Sequence, residues 1–127
     1  MYNVYTKDMK KDSTFVQYVT EDLLGYMDNV MFRAMFGGYG IYRLGIMFAL
    51  VGDGELYFKV GIDQKEKYKE LKSRPFTYMK EGKAQELSYY CISEEIQENR
   101  DLFRELARES YELALEKMLK KPLKIKK

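Results

Sequence analysis

The stretch Gly37-Gly38-Tyr39-Gly40, flanked by Arg33 and Arg43, is the first place where residue types and spacing could do chemistry. Successive backbone N–H groups in a glycine-rich bend can cradle an anion, and nearby guanidinium groups would hold it more firmly. The motif is not followed by the Gly-Lys-Ser/Thr that completes a P-loop. Glycines among apolar residues also mark bulges and close backbone approaches within strands. A bulged bend in a first strand is the expectation for Phe36 to Gly40.

The other candidates are sparser. The chain has no histidine and one cysteine, Cys91. That removes the commonest general base, the nucleophile–base triads and most zinc sites. Oxygen ligands would have to hold any metal, and no calcium-loop spacing is present. Cys91 sits in an apolar run with no histidine to activate it, so a buried, inert thiol is expected. Glu94 and Glu95 are adjacent, and adjacent residues on a helix do not face each other. They suit the first turn of a helix, where the dipole favours acids. Asp12, Asp22 and Asp28 have no convergent partner in the sequence. No catalytic residue, cofactor or metal is expected.

Between Lys117 and Lys127 the chain carries six lysines. Of these, Lys117, Lys120, Lys121 and Lys124 are the candidates for contact with nucleic-acid phosphates. A basic helix end also complements the C-terminal dipole and stays solvated. Twenty-two basic against twenty acidic residues do not make the strongly basic domain of a dedicated nucleic-acid binder.

The elements that would position these residues read as follows. Phe15, Val16, Val19, Leu23, Tyr26 and Met27 recur at helical spacing, with Asp12 or Ser13 as a cap, giving a helix over 13–27. Three apolar runs follow, separated by glycine turns. Asp53-Gly54 suits a two-residue type I′ hairpin, and Leu44-Gly45 marks an earlier turn. Ile46 to Val51 is apolar on both faces, which suits a central strand. In the third strand Leu56, Phe58 and Val60 point one way, and Glu55, Tyr57 and Lys59 the other. A short charged helix over 63–73 has only Tyr68 and Leu71 to anchor it, and Pro75 stops it. Strands over 76–79 and 84–92 flank a Glu81-Gly82 turn. Ser93 then caps a helix over 94–119, with Phe103, Leu106, Ala107, Ser110, Leu113, Ala114 and Met118 as its inner stripe, and Pro122 ends it. The expected architecture is α+β: a two-layer α/β sandwich in the order α-β-β-β-α-β-β-α, with a five-stranded antiparallel sheet and helices on one face.

The string from Arg33-Ala34-Met35-Phe36-Gly37-Gly38-Tyr39-Gly40-Ile41-Tyr42, through Gly45-Ile46-Met47-Phe48-Ala49-Leu50, to Asp53-Gly54-Glu55-Leu56-Tyr57-Phe58-Lys59 resembles the N-terminal domain of the TfoX/Sxy family. Pro75-Phe76-Thr77-Tyr78 and Leu87-Ser88-Tyr89-Tyr90 extend the resemblance, which covers roughly residues 13–118. It implies a two-layer fold similar to secretion chaperones. It also implies a non-enzymatic regulatory or protein-interaction role, in transcriptional regulation of bacterial competence and DNA uptake. The resemblance further implies that the family's full regulators carry a second, helical C-terminal domain, which is not expected in a chain read as ending at Lys127.

One domain over 1–127 is expected, with 1–11 and 120–127 loosely held. The first eight residues are polar, unlike a signal peptide, and the longest apolar run is far too short to span a bilayer. A cytoplasmic protein is the expectation, with no membrane partner. Twelve tyrosines and no tryptophan are the least ordinary feature, because tyrosine suits surfaces that are apolar yet wet at one end. If helices cover one sheet face, the other is either a tyrosine-bearing interface or an unoccupied surface. The candidate interaction residues are Arg33, Phe36, Gly37, Gly38, Tyr39, Tyr57 and Tyr89. The expected partner is a second copy, as a homodimer, or another protein. Nucleic acid held by the lysine tail is the alternative, and a small enzyme ranks third.

Overall fold

The computed structural model describes residues 12–35 and 37–120. The first helix, α1, occupies residues 12–23 and closes in a π-helical turn, Val19–Leu23. The Thr20 hydroxyl donates to the Val16 carbonyl at 2.9 Å, and the Leu24 N–H bonds five residues back to Val19 at 2.8 Å. Such side-chain competition and wide turns mark the end of a regular helix. The helix therefore stops before Tyr26 and Met27, which the sequence places inside it.

Six strands follow, all antiparallel: β1 (Val30–Met35), β2 (Gly38–Arg43), β3 (Ile46–Gly52), β4 (Glu55–Lys59), β5 (Pro75–Lys80) and β6 (Lys83–Ile92). Their spatial order is β1-β2-β3-β4-β6-β5. The α+β class, the antiparallel sheet and the helices on one face are as expected, with one strand more. The extra strand arises at the glycine cluster. Gly37 takes a positive φ of 77°, and Met35 pairs directly with Gly38. The chain thus reverses at Gly37, between the paired residues Met35 and Gly38, rather than running on as one bent strand. The bulge lies one strand over, where the β2–β3 register shifts between Ile41 and Tyr42. Asp53 and Gly54 have φ of 54° and 75°, the paired left-handed conformation of a type I′ turn, and Leu44-Gly45 and Glu81-Gly82 repeat it.

Between β4 and β5 lie a 3-10 turn (Ile62–Gln64) and α2 (Lys65–Glu70). Tyr68 is fully buried and Leu71 packs, partly buried, against the main core, the two anchors the sequence offers. The last helical region is two helices, α3 (Glu94–Glu98) and α4 (Arg100–Leu119). Ser93 caps α3 by accepting from the Ile96 N–H at 3.2 Å. Asn99 leaves helical geometry and caps α4 by accepting from the Leu102 N–H at 3.2 Å, which explains the break.

The main core lies between the sheet and α1, α2 and α4. Phe48, Leu56 and Phe58 are buried there with Val16, Val19, Phe103 and Leu106. Each fully buried side chain of this size contributes roughly 1.5–3 kcal/mol. Tyr111, outside the expected stripe, packs edge-on against Phe48 at 5.8 Å, while Met118 lies exposed. Polar ties fix the layers to one another. The Asp12 carboxylate accepts from the N–H groups of Asp53 and Gly54 at 3.1 and 2.6 Å, so it fastens α1 to the β3–β4 turn. The Ser110 hydroxyl donates to the Lys59 carbonyl at 2.7 Å, and Lys67 of α2 bridges Glu105 and Glu109 of α4. No helix among the described residues is long and apolar enough to cross a membrane.

Candidate interaction surface

The sheet face turned away from the helices is built from alternate residues of every strand. Strand pairing sets Tyr42 beside Met47, Gly40 beside Leu50, Leu50 beside Tyr57 and Tyr57 beside Cys91. Directly paired residues share a face. Leu50, Tyr57, Tyr89 and Cys91 form a second, smaller core at this face, with Met47, Phe76 and Leu87 partly buried around them. Phe76 comes from the outermost strand β5, yet its ring stands edge-on to Tyr57 at 5.0 Å. A side-chain carbon built on Gly52 of β3 would meet that ring at 3.5 Å. The sheet thus curls towards this face, and its edge residues roof the centre.

Glycine makes the other half of the face possible. A Cβ on Gly40 would lie 2.7 Å from the Met35 sulfur and 3.2 Å from the Met47 sulfur. Only a bare backbone lets the two methionines and Tyr42 close over that point. On Gly38 a Cβ would lie 2.3 Å from the Val51 carbonyl oxygen, so here glycine permits close strand approach.

The polar groups of the face are tied to one another. The Tyr57 hydroxyl donates to Glu55 at 3.0 Å, and Arg74 pairs with the same carboxylate oxygen. The Ser73 hydroxyl donates to the Cys91 carbonyl. Burial raises the Tyr57 hydroxyl pKa, and the hydrogen bond to Glu55 raises it further. Burial pushes Tyr89 up to about 12 and lifts the Cys91 thiol above its usual range. The Lys59 amine sits 5.2 Å over the Tyr89 ring. Burial lowers its pKa, with the Lys117 charge adding to the effect.

The expected site residues are thus scattered in part. Tyr57 and Tyr89 come together, but at 7% and 8% exposure they are core members rather than a wet surface. Arg33 is on this face, its guanidinium 4.7 Å over the Tyr42 ring. Arg43 turns to the helix side, where its Nε donates to the Asp28 carbonyl at 3.0 Å and its guanidinium covers Tyr111. The two arginines diverge, so no anion cradle forms between them at the glycine cluster. Tyr39 packs edge-on against Phe32 at 5.5 Å, beside the main core. Lys117 is in the last turn of α4, and Lys120 caps it and pairs with Glu116 at 3.0 Å. Phe36, Lys121 and Lys124 lie outside the described residues, as do 1–11 and 121–127.

The residues that sequence reasoning missed are Met35, Met47, Phe76 and Leu87. For Leu87 a signal was available, since it shares the parity of Tyr89 and Cys91 along β6. For Met47 the β2–β3 register shift broke that parity. A cavity of about 50 Å³ lies among Met35, Met47, Leu50, Phe76 and Leu87. Small-molecule sites occupy roughly 300–1,000 Å³, so this dimple suits a protruding side chain better than a substrate.

The chain is 31% identical to Protein Sxy of Escherichia coli K12 over 100 residues, covering 77% of this chain and 47% of that one. It is 34% identical to the DNA transformation protein TfoX1 of Aliivibrio fischeri over 62 residues, covering 49% of this chain and 30% of that one. The matches thus span less than half the length of each relative. Residues 22–114 match the TfoX N-terminal domain, and the chain belongs to that family.

Proposed function

We propose that this chain is a non-enzymatic regulatory domain that acts by binding another protein through the helix-free face of its sheet, in transcriptional control of a response related to DNA transformation. The observation that carries this reading is the half-buried apolar roof of Met35, Met47, Phe76 and Leu87 around a dimple of about 50 Å³. Methionine-rich surfaces adapt to a partner, because the thioether is unbranched and polarizable. Relationship to a DNA transformation protein supports the biological setting.

Placing a photo-crosslinking residue at position 47 should capture a protein partner in the cell of origin. With the crosslinking residue moved to position 87, on the same rim, Met47→Glu should abolish capture and lower transformation frequency, with the folded state intact by circular dichroism. Normal transformation with Met47→Glu, and no partner captured, would remove this reading. Salt-dependent DNA binding lost on deleting 119–127 would favour the lysine tail instead.

A further inference from the structure

The two edges of the sheet are β1 and β5, and they are guarded differently. β5 opens with Pro75, which has no N–H to offer, shifts register between Pro75 and Thr77, and ends on Lys80. These are devices that keep an edge from pairing. β1 reads Val-Met-Phe-Arg-Ala-Met, pairs with β2 without a shift and carries a single charge.

Which backbone groups of β1 face outward follows from its hairpin. The direct pair that closes a tight hairpin exchanges both hydrogen bonds, so Met35, paired with Gly38, directs its groups to β2. The Leu44 N–H donates to the Asn29 carbonyl at 3.3 Å, which sets the same parity at the far end. Met31 and Arg33 therefore also bond to β2. The N–H and C=O of Val30, Phe32 and Ala34 point away from the sheet, and among the described residues no strand lies beyond them.

We propose that β1 is a dimer interface, in which two copies of this chain pair antiparallel with Phe32 on the twofold axis. In that register Phe32 lies opposite Phe32 of the second copy, Val30 opposite Ala34, and Met31 opposite Arg33. Every outward N–H and C=O then meets an outward partner, and side chains of one face meet the same face. A slip of one residue sets outward groups against inward ones and loses the ladder. A slip of two towards the C-terminus sets Arg33 against Arg33, which like-charge repulsion disfavours. The same slip the other way leaves Ala34 unpaired. Because β5 is guarded, β1 cannot continue head-to-tail, and the association closes at two. An interface of one strand is small, so the dimer is weak and concentration-dependent. The pairing leaves the helix-free face open and stands whether or not that face binds a protein.

Sedimentation velocity on the full chain, from about 1 µM to about 500 µM, tests this in the range of weak interfaces. The expected result is a reversible monomer–dimer equilibrium. Ala34→Pro removes an outward N–H and no internal one, so the variant should keep its circular dichroism and stay monomeric. Met31 is 60% exposed, so its variants keep the fold and carry the test if Ala34→Pro does not. Met31→Glu, facing Arg33 of the second copy, should tighten the dimer several-fold, and Met31→Lys should weaken it to a similar degree. A monomer throughout, including one whose β1 pairs only with a strand of another protein, overturns the proposal. So does a dimer indifferent to Ala34→Pro, or one that shifts the same way or not at all with the two Met31 variants.

Discussion

On the helix side of the sheet, Phe48, Leu56 and Phe58 are buried under Phe103, Leu106 and Tyr111 of α4. On the other side, Leu50, Tyr57, Tyr89 and Cys91 are buried among strand residues only. Both sets reach under 10% exposure, by different means. The first is covered by a separate layer, tied down by Asp12, Ser110 and Lys67. The second is covered by the sheet itself, because twist and the β5–β6 register shift bring Phe76 over β4. A layer fills space completely. A curl leaves its rim half open, and that rim is the surface proposed above to bind a partner.

The sharpest way to break this comparison is to empty each core. Phe58→Ala should cost about 3–5 kcal/mol, since helices held from several sides cannot collapse into the gap. Leu50→Ala should cost about 2 kcal/mol, near the low end for its class, because Met47 and Phe76 can settle inward. Urea denaturation of both variants measures the difference. Equal costs would mean that the second face is packed as firmly as the first.

Asp12→Ala should cost about 1.5–3 kcal/mol, the range for hydrogen bonds to a charged group. It removes the tie between α1 and the β3–β4 turn. Hydrogen exchange should then rise at Asp53 and Gly54 and stay unchanged at Tyr89. A rise at Tyr89 would show that the faces are coupled through the turn.

The smallest effect is alkaline. Tyr89 titrates near 12 in the folded chain against a usual value of 10.0, and Tyr57 is raised also. Above pH 10 the unfolded chain loses these protons while the native one keeps them. Stability from the second face is therefore full below pH 10 and falls as pH rises towards 12. Denaturation midpoints at pH 8 and 11 should differ less in a Tyr57→Phe/Tyr89→Phe variant than in the parent. An identical difference in both would place the alkaline sensitivity elsewhere.

Much of the fold was legible, for local reasons. Asp53-Gly54, Leu44-Gly45 and Glu81-Gly82 each form the turn their residue types favour, because a type I′ turn demands two left-handed residues in succession. Ser93 caps as its hydroxyl dictates. The extra strand was not legible, because Gly37, Gly38 and Gly40 look alike in sequence. One turns the chain, one admits the Val51 carbonyl and one makes room for two methionine sulfurs. Those roles depend on the neighbouring strand. The break at Asn99 had a capping residue as its only signal, inside an otherwise continuous helical pattern.

The sequence by itself determined the element types, the hairpin turns, the parity of β4 and the absence of histidine chemistry. All of these follow from properties of single residues or from periods of a few residues. Only the tertiary structure decided that Tyr57 and Tyr89 are core rather than surface, that Arg33 and Arg43 face apart, and that Asp12 holds a turn forty-one residues away. The physical reason is the same in each case. Burial and hydrogen bonding depend on which strands become neighbours and how far the sheet curls, and neither is encoded within one segment of chain.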